Sequence, residues 1–349
     1  MKAMILCAGL GTRLRPFTYR WPKPAMPFFG QPLFRYSLST LRKAGIEQVG
    51  INTHHLPHVM EATARAECER SHCSLTVAHE NGEIQGTGGG IRGLKNFLQD
   101  DHFVVLNGDV LFSVDLKPLI ASHLASGAVA TMVLMPMPEG EKFNPVEVNA
   151  EGQVRKIAGI GPGGDRLSPW HFTGVHIMTP AVFDFMSATG AEDINRDVYV
   201  RMMNKGLTIR AERLTSPQTF WSDMGTPQRY AEAHQHLLFG QASTALFGDA
   251  DPFSSMQRSA FGWHGDALPS NVKAAGPVWV APGVKLGAGV RLGSAVSIAP
   301  GCDIGANAHL NRVAVLNDTQ VPGDALYEDC MIATVNGKLE VISTTSAET

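Results

Sequence analysis

Between Val278 and Asn311 the chain repeats itself every six residues, and no other feature limits its fold so strongly. Val280-Ala281, Leu286-Gly287, Leu292-Gly293, Ile298-Ala299, Ile304-Gly305 and Leu310-Asn311 recur at that step. A second ladder of apolar or small residues runs beside them: Val278, Val284, Val290, Val296, Cys302 and Ala308. Hexads of this kind are the pattern of a parallel β-helix, in which each hexad makes one side of a triangular coil. Six hexads in succession are too many for a chance match. The repeat therefore predicts a hexapeptide β-helix over 278–335, with less regular apolar pairs up to Ile332 closing an imperfect last coil. The residues that follow, 336–349, read as a tail, frayed from Ser343 onward. The stretch 241–277, rich in Gly, Pro, Ser and Asp between Gly248 and Gly276, reads as a linker.

The first half is patterned differently. Apolar runs at Met4–Cys7, Val49–Thr53, Leu75–His79, Phe103–Asn107 and Val129–Met135 alternate with helical patterns at Leu33–Ala44, Pro57–Arg70, Gly89–Leu98 and Leu116–Ser126. Such alternation predicts an α/β fold with a mostly parallel sheet and helices on both faces. From Val146 the order becomes mixed. Val146–Val148 and Val154–Ile157 read as a hairpin, Gly159–Pro169 as a loop and Phe172–Met178 as a strand. Helices follow at Ala181–Met186, Ile194–Asn204 and Pro227–Leu238, with strands near Leu207–Leu214 and Thr219–Ser222. This insertion is expected to cover the sheet edge and bind a second substrate.

The chemistry gathers at the end of the first strand, in Leu6-Cys7-Ala8-Gly9-Leu10-Gly11-Thr12-Arg13-Leu14-Arg15-Pro16. Gly9 and Gly11 let backbone N–H groups close on an oxyanion. Arg13 and Arg15 bring fixed charge, and Lys23, set between Pro22 and Pro24, offers a compact cation. A dinucleotide fingerprint would need glycine where Leu14 stands, and a P-loop would need Gly-Lys-Ser/Thr. The loop reads as a triphosphate cradle. Further along, Asn107-Gly108-Asp109-Val110 and Trp221-Ser222-Asp223-Met224-Gly225-Thr226-Pro227 each end a strand with a carboxylate suited to a hard cation.

On these residues the chain resembles the sugar nucleotidyltransferases, or NDP-sugar pyrophosphorylases, whose signature is G-x-G-T-R-L-x-P followed by P-K-P. Both halves stand intact at Gly9–Pro16 and Pro22–Pro24. The resemblance implies a Rossmann-like domain over 1–240, a left-handed hand for the β-helix, and Mg²⁺ on Asp109 and Asp223. It implies nucleotide contacts from Leu6, Ala8, Gly9, Gly11, Thr12, Arg13, Lys23 and Gly108. The segment Glu83-Ile84-Gln85-Gly86-Thr87-Gly88-Gly89-Gly90-Ile91 falls where the family covers the base, adding Gln85, Gly86 and Thr87. An amide such as Gln85 matches the imide edge of uracil or thymine, although guanine also offers a donor beside an acceptor. With Phe172-Thr173-Gly174-Val175, the T-G-G-G-I version most resembles N-acetylmuramate-1-phosphate uridylyltransferases.

Sugar-phosphate contacts are implied for Glu147, Gly174 and Asn195. Asp193 is as readily read as a helix cap. The E-K-P segment by which many relatives grip the sugar phosphate is absent; Ile157-Ala158-Gly159-Ile160-Gly161-Pro162 stands there, with Lys156 shifted. Catalysis would then rest on Arg13, Lys23, Asp109 and Asp223.

Composition excludes other classes. A net charge of −3 with no basic run argues against a nucleic-acid partner. No apolar stretch reaches the ~18 residues of a membrane span, so no membrane partner is expected. Lys2, an apolar run and Cys7 mimic a lipoprotein signal, but the run is too short and reads as a strand. Five scattered cysteines without metal spacing suit a reduced, cytoplasmic protein. His54, His55 and His58, interrupted by Leu56-Pro57, read as a helix entry and not as a metal cluster. Two other classes remain: a non-catalytic regulatory protein on this architecture, and an acyltransferase using the hexapeptide region, where His309 is the one candidate base. The β-helix is expected to cap the chain and support a homo-oligomer.

Overall fold

In the computed structural model the described residues are 1–140, 142–214 and 220–345, with Leu246 described by its backbone alone. They form two compact units, each built from two stretches of chain. The first takes Met1–Gly9 and Ser37–Trp221; the second takes Leu10–Tyr36 and Ser222–Thr349. The chain therefore does not divide after residue 240. The segment that begins just beyond Gly9 belongs with the C-terminal coils.

The first unit is a parallel-rich α/β sheet of nine strands. Ser74–His79, Gln48–Thr53, Lys2–Leu6 and Phe103–Asn107 lie side by side and parallel, in that order. These are continuous apolar runs, as strands buried on both faces require. Ser168–Met178 then joins Phe103–Asn107 antiparallel, and it also pairs with Ala130–Met135 and Val146–Val148. The hairpin of Val146–Val148 with Val154–Ile157 forms as expected. Ile209–Arg213 runs parallel to Ala130–Met135. Helices Pro57–Arg70, Gly86–Gly93 and Leu116–Ser126 pack on these strands. The first carries Pro at its start, where the missing N–H costs nothing, and the last is capped by the Asp115 carboxylate. The expected helix Gly89–Leu98 begins earlier, at Gly86, and splits into Gly86–Gly93 and Lys95–Leu98. Pro180–Phe185 is a 3₁₀ turn, and the helix expected over Ile194–Asn204 opens with a π-turn at Ile194–Val198.

In the second unit short strands stack in three parallel series. Val278–Val280 stands beside Val296–Ile298, and that beside the end of His309–Val315. Lys285–Leu286, Asp303–Ile304 and Gln320–Val321 form the second series. Lys273–Ala274, Arg291–Leu292, His309–Leu310 and Leu326–Tyr327 form the third. The ladder residues Val278, Val290, Val296, Cys302, Ala308 and their partners Val280, Leu292, Ile298, Ile304 and Leu310 fill the interior. Val278 pairs with Val296, whereas Ser297 pairs with Ala314, so one residue drops out where the hexads lose their regularity.

Two expectations are corrected here. The stretch 241–277 is not a bare linker: Gln257–Ser259 and Gly262–His264 form an antiparallel pair, and Gly262–His264 extends the stack beside Val278–Val280. Nor is 336–349 a free tail, since Lys338–Ser343 pairs antiparallel with Leu326–Val335 and covers the last coil. Both were hidden because edge coils need backbone pairing and not a repeated apolar residue. Residues 346–349 lie outside the described residues, as does Thr219 of the strand expected at Thr219–Ser222, which runs Phe220–Asp223.

An aromatic seam holds Leu10–Tyr36 to the rest of this unit. Phe28 meets Tyr230 and His234 edge-on, Phe29 meets Phe253 and Trp279, and Tyr36 meets Phe247. Phe28, Tyr36, Tyr230 and Phe247 are fully or almost fully buried. Such rings contribute both area and edge-to-face attraction.

Three buried imidazoles make acid stability testable. Burial pushes His176 down to about 3, and His123 and His234 down to about 4. His102 and Arg210 add to the effect at His123, while the Tyr230 carbonyl, which accepts from His234, opposes it. With folded values below the ordinary ~6.5, the unfolded chain binds more protons as pH falls, so stability is complete above pH ~6.5 and declines towards pH 4. Urea unfolding at pH 7 and pH 5 is expected to show a loss of about 2 kcal/mol per buried imidazole. An unchanged midpoint would mean these rings titrate as they do when unfolded.

Candidate active site

Lys23 opens the 3₁₀ turn Lys23–Ala25, held stiff by Pro22 and Pro24, and is buried at 5% exposure. A buried ammonium needs a counter-charge. Asp223 supplies it: Lys23 Nζ lies 3.3 Å from Oδ1, while Arg229 Nη1 lies 2.7 Å from Oδ2. Arg13 joins the group. A Cβ at Gly225 would fall 2.6 Å from Arg13 Nη2 and 2.7 Å from Asp223 Oδ1, so both side-chain ends lie against this glycine. Lys23 and Arg229 thus pair with the Asp223 carboxylate, and the exposed Arg13 stands beside Gly225 next to it; cations gathered in this way suit an oligophosphate.

The loop before Lys23 is shaped by its own contacts. Gly11 has φ 59°, and its missing Cβ would lie 2.8 Å from Thr18 Cγ2. The Thr18 hydroxyl donates to the Gly11 carbonyl at 3.1 Å. Gly9 has open space where a side chain would stand, and Thr12 and Arg13 are exposed. The backbone at Gly9 is therefore accessible to a ligand.

The first unit carries the other expected residues. Gly108 N–H donates to the Leu6 carbonyl at 3.0 Å, which ties the Asp109 turn to the end of the first strand. Asp109 is half-buried near Cys7, whose thiol is pushed up by burial first and by Asp109 second. Cys7 is thus held as a neutral thiol. Ala8, beside it, is buried. Asn52 accepts from Cys7 N–H at 2.8 Å and donates to Glu80 Oε1 at 2.7 Å. Glu80 Oε2 in turn accepts from Gln85 N–H at 2.8 Å.

Gln85 stands just before the helix Gly86–Gly93, and its amide is engaged in its own loop, donating to the Glu83 carbonyl at 2.7 Å. Thr87 donates to Asp193 at 3.1 Å and accepts from Ile194 N–H at 2.9 Å. The Glu192 carbonyl accepts from Gly88 and Gly89, and a Cβ on Gly86 would stand 2.6 Å from that same oxygen. Glu192 pairs with Arg92 at 2.8 Å and with Arg201. Burial would raise its carboxyl, but the Arg201 and Ser187 bonds prevail and hold it below the usual range. Asp193 caps the turn that follows, accepting from Asn195 and Arg196 N–H.

That turn borders a cavity of about 300 Å³ lined by Phe143, Asn144, His171, Phe172, Asn195 and Arg196, among others. Asn195 Oδ1 is buried without a hydrogen-bond partner among the described residues and is suited to a hydroxyl. Of the three expected sugar-phosphate residues, only Asn195 lines it. Glu147 lies between buried Val146 and Val148, so it faces away from the core, 3.9 Å from Lys156 Nζ. Gly174, at φ 89°, packs against the Asn107 side chain instead.

Arg229, Asn52 and Glu80 were missed from sequence. Arg229 left one signal: a cation in the first turn of the helix Pro227–Leu238 opposes the helix dipole unless an acid holds it. No group of three or more His, Cys, Asp or Glu side chains forms a metal cage among the described residues. Mg²⁺ is nevertheless suited by one or two carboxylates, with phosphate oxygens and water completing its shell. His54 Nδ1 donates to the Glu80 carbonyl at 3.1 Å, and the helix Pro57–Arg70 begins just beyond it. No helix among the described residues is long and apolar enough to cross a membrane.

The sequence profile of the family described as nucleotidyl transferase matches residues 2–239, and the chain belongs to that family. It is 30% identical over 250 residues to UTP–glucose-1-phosphate uridylyltransferase of Synechocystis sp., covering 68% of this chain and 63% of that protein. It is 31% identical over 248 residues to mannose-1-phosphate guanylyltransferase of Mycobacterium tuberculosis, covering 70% of this chain and 67% of that protein. The match thus spans less than two thirds of the Synechocystis relative. A Bacillus anthracis structure assigned as a glucose-1-phosphate thymidylyltransferase, solved in complex with a sucrose, shares the fold with TM-score 0.56 and 22% identity, covering 67% of this chain and 93% of that one.

Asp223→Asn removes the charge that buried Lys23 and Arg229 share. The variant is expected to lose about 1–3 kcal/mol of stability, read as a lower urea midpoint with unchanged slope. A wild-type midpoint would show that Asp223 does not anchor the two cations.

Proposed function

We propose that the protein is a sugar-1-phosphate nucleotidyltransferase, converting an NTP and a sugar 1-phosphate to an NDP-sugar and pyrophosphate. The observation that carries this reading is the pairing of Lys23 and Arg229 with Asp223, with Arg13 beside Gly225 and Lys23 next to Gly11. A phosphate oxygen of the sugar 1-phosphate attacks the α-phosphorus, the bond to the bridging oxygen breaks, and pyrophosphate departs in line. That oxygen is already ionised near neutral pH, so no general base is needed. Catalysis is positioning and charge neutralisation. Arg13 and Lys23 meet the triphosphate, Gly9 and Gly11 form its backbone cradle, and Leu6, Ala8, Thr12 and Gly108 add nucleotide contacts. Gln85, Gly86 and Thr87 address the base. Asp109 and Asp223 are proposed to hold Mg²⁺, which when bound neutralises charge on the phosphates. The structural regions suit a C-terminal left-handed β-helix that supports assembly and does no chemistry.

The T-G-G-G-I loop favours UTP, with an N-acetylmuramate-type sugar phosphate, in nucleotide-sugar supply for cell-wall or surface glycan synthesis or recycling. The match to a mannose-1-phosphate guanylyltransferase favours GTP as the second reading, and the fold neighbour brings in a glucose-1-phosphate thymidylyltransferase. A buried base edge discriminates through polar groups left unpaired by the wrong ligand, about 2–4 kcal/mol.

A pyrophosphate-release screen of each NTP against a panel of sugar 1-phosphates tests the reading. Turnover should require Mg²⁺ and prefer UTP; a tenfold preference for GTP would overturn the base assignment, and no release with any pair would overturn the enzyme. Asp109→Asn and Asp223→Asn should each lower turnover by roughly 10²-fold or more. If they serve one ion, the double variant is little worse than the worse single.

A further inference from the structure

Arg20 connects the loop that carries Lys23 to the C-terminal coils. It ends the 3₁₀ turn Phe17–Tyr19, and its guanidinium reaches three acceptors, one on the strand Leu326–Val335 and two in the turn between His309–Val315 and Gln320–Val321. Nη1 donates to the Thr334 carbonyl at 2.7 Å and the Asn317 carbonyl at 3.3 Å; Nη2 meets Asp318 Oδ2 at 2.9 Å. The group also lies 4.1 Å from the Trp21 ring centroid. A planar fork with several fixed donors can satisfy two carbonyls and a carboxylate at once, which a lysine cannot.

The turn that Arg20 closes is the one that shapes the loop. Thr18, within it, bonds the Gly11 carbonyl and fills the space beside Gly11. Three residues beyond Arg20 stands Lys23. On the far side of Lys23 a second anchor follows: Asn317 Nδ2 donates to the Gly30 carbonyl at 3.2 Å, and Phe29 packs on Trp279 at 5.3 Å. A Cβ on Gly30 would fall 2.5 Å from Pro300 Cδ, so this contact is close. Asn317, adjacent to Asp318, serves both anchors. Lys23 is thereby bracketed by two attachments to the same corner of the coil stack.

We propose that the coil stack is a positioning element for the triphosphate loop, and that Arg20, with Asn317, transmits its register to Gly11 and Lys23. Arg20 touches no reacting group in this scheme. It sets where the loop stands, so the C-terminal region is a working part of the nucleotide site and not a detachable cap. The inference rests on the nucleotidyltransferase reading only for what the loop binds, not for how it is held.

The test uses the full-length protein and the variants Arg20→Ala, Arg20→Lys and Asn317→Ala. Hydrogen exchange should quicken by about tenfold at the amides of Leu14, Tyr19 and Ala25 in Arg20→Ala, whose bonds define the three turns. Calorimetric Kd for Mg-UTP and Mg-GTP should weaken by about tenfold, and KM for the NTP should rise while KM for the sugar 1-phosphate stays within about twofold. Arg20→Lys should recover part of each effect through Asp318 alone. Unchanged exchange at those amides in folded Arg20→Ala and Asn317→Ala would overturn the proposal, as would equal loss in both substrates' KM. If wild type binds neither nucleotide, the functional reading fails, yet the exchange data still decide whether the coils hold the loop. Asn317→Ala keeps the question open to decision should Arg20→Ala not fold.

Discussion

One carboxylate organises the second unit's chemistry. Asp223 stands at the end of a strand, and the buried Lys23 is stable there because that charge is in reach. Arg229 takes the other oxygen, and Gly225 leaves room for Arg13 alongside. Remove the carboxylate and the buried, proline-clamped ammonium loses a paired charge, which costs more than a surface pair would return.

Around it, the glycine loop is less free than its composition suggests. Gly11 bends, but Thr18 fills the bend; Lys23 reaches out, but Pro22 and Pro24 limit its backbone. The loop then runs into an aromatic seam of Phe28, Phe29, Tyr36, Tyr230, Phe247 and Trp279. Rigidity of this kind suits a reaction whose catalysis is placement, since a loop that had to be ordered by substrate would consume binding energy. In the first unit, Glu80, Asn52 and Glu192 do similar work for the helix Gly86–Gly93, fastening it from both sides through backbone and side chain.

Much of this was legible in the residues. The alternation of apolar strands and helices announced the α/β unit, because a strand buried on both faces must be apolar throughout and a helix on a sheet must be amphipathic. The six-residue ladder announced the stacked C-terminal strands, because each hexad buries one copy of it. Gly9, Gly11, Arg13 and Lys23 stand out in the sequence as the proposed phosphate site because phosphate chemistry needs flexible backbone and fixed cations together. For Glu147, motif position tells which strand the residue is on, while the pleat decides which face it takes, and Val146 and Val148 take the core.

What the sequence alone determined, then, was every element whose cause is local or periodic: strands, helices, coils, and the residue types at the loop. What only the tertiary structure decided was partnership between distant stretches. That Leu10–Tyr36 belongs with Ser222–Thr349 and not with the sheet it follows cannot be read from any window, because it depends on rings more than two hundred residues apart meeting edge to face. Arg229 as the second cation on Asp223, Asn195 on the cavity, and Arg20 on the carbonyls of Asn317 and Thr334 have the same origin. A charge or an amide has no periodicity to betray its partner; only folding brings the complementary group within the few ångströms at which the interaction exists.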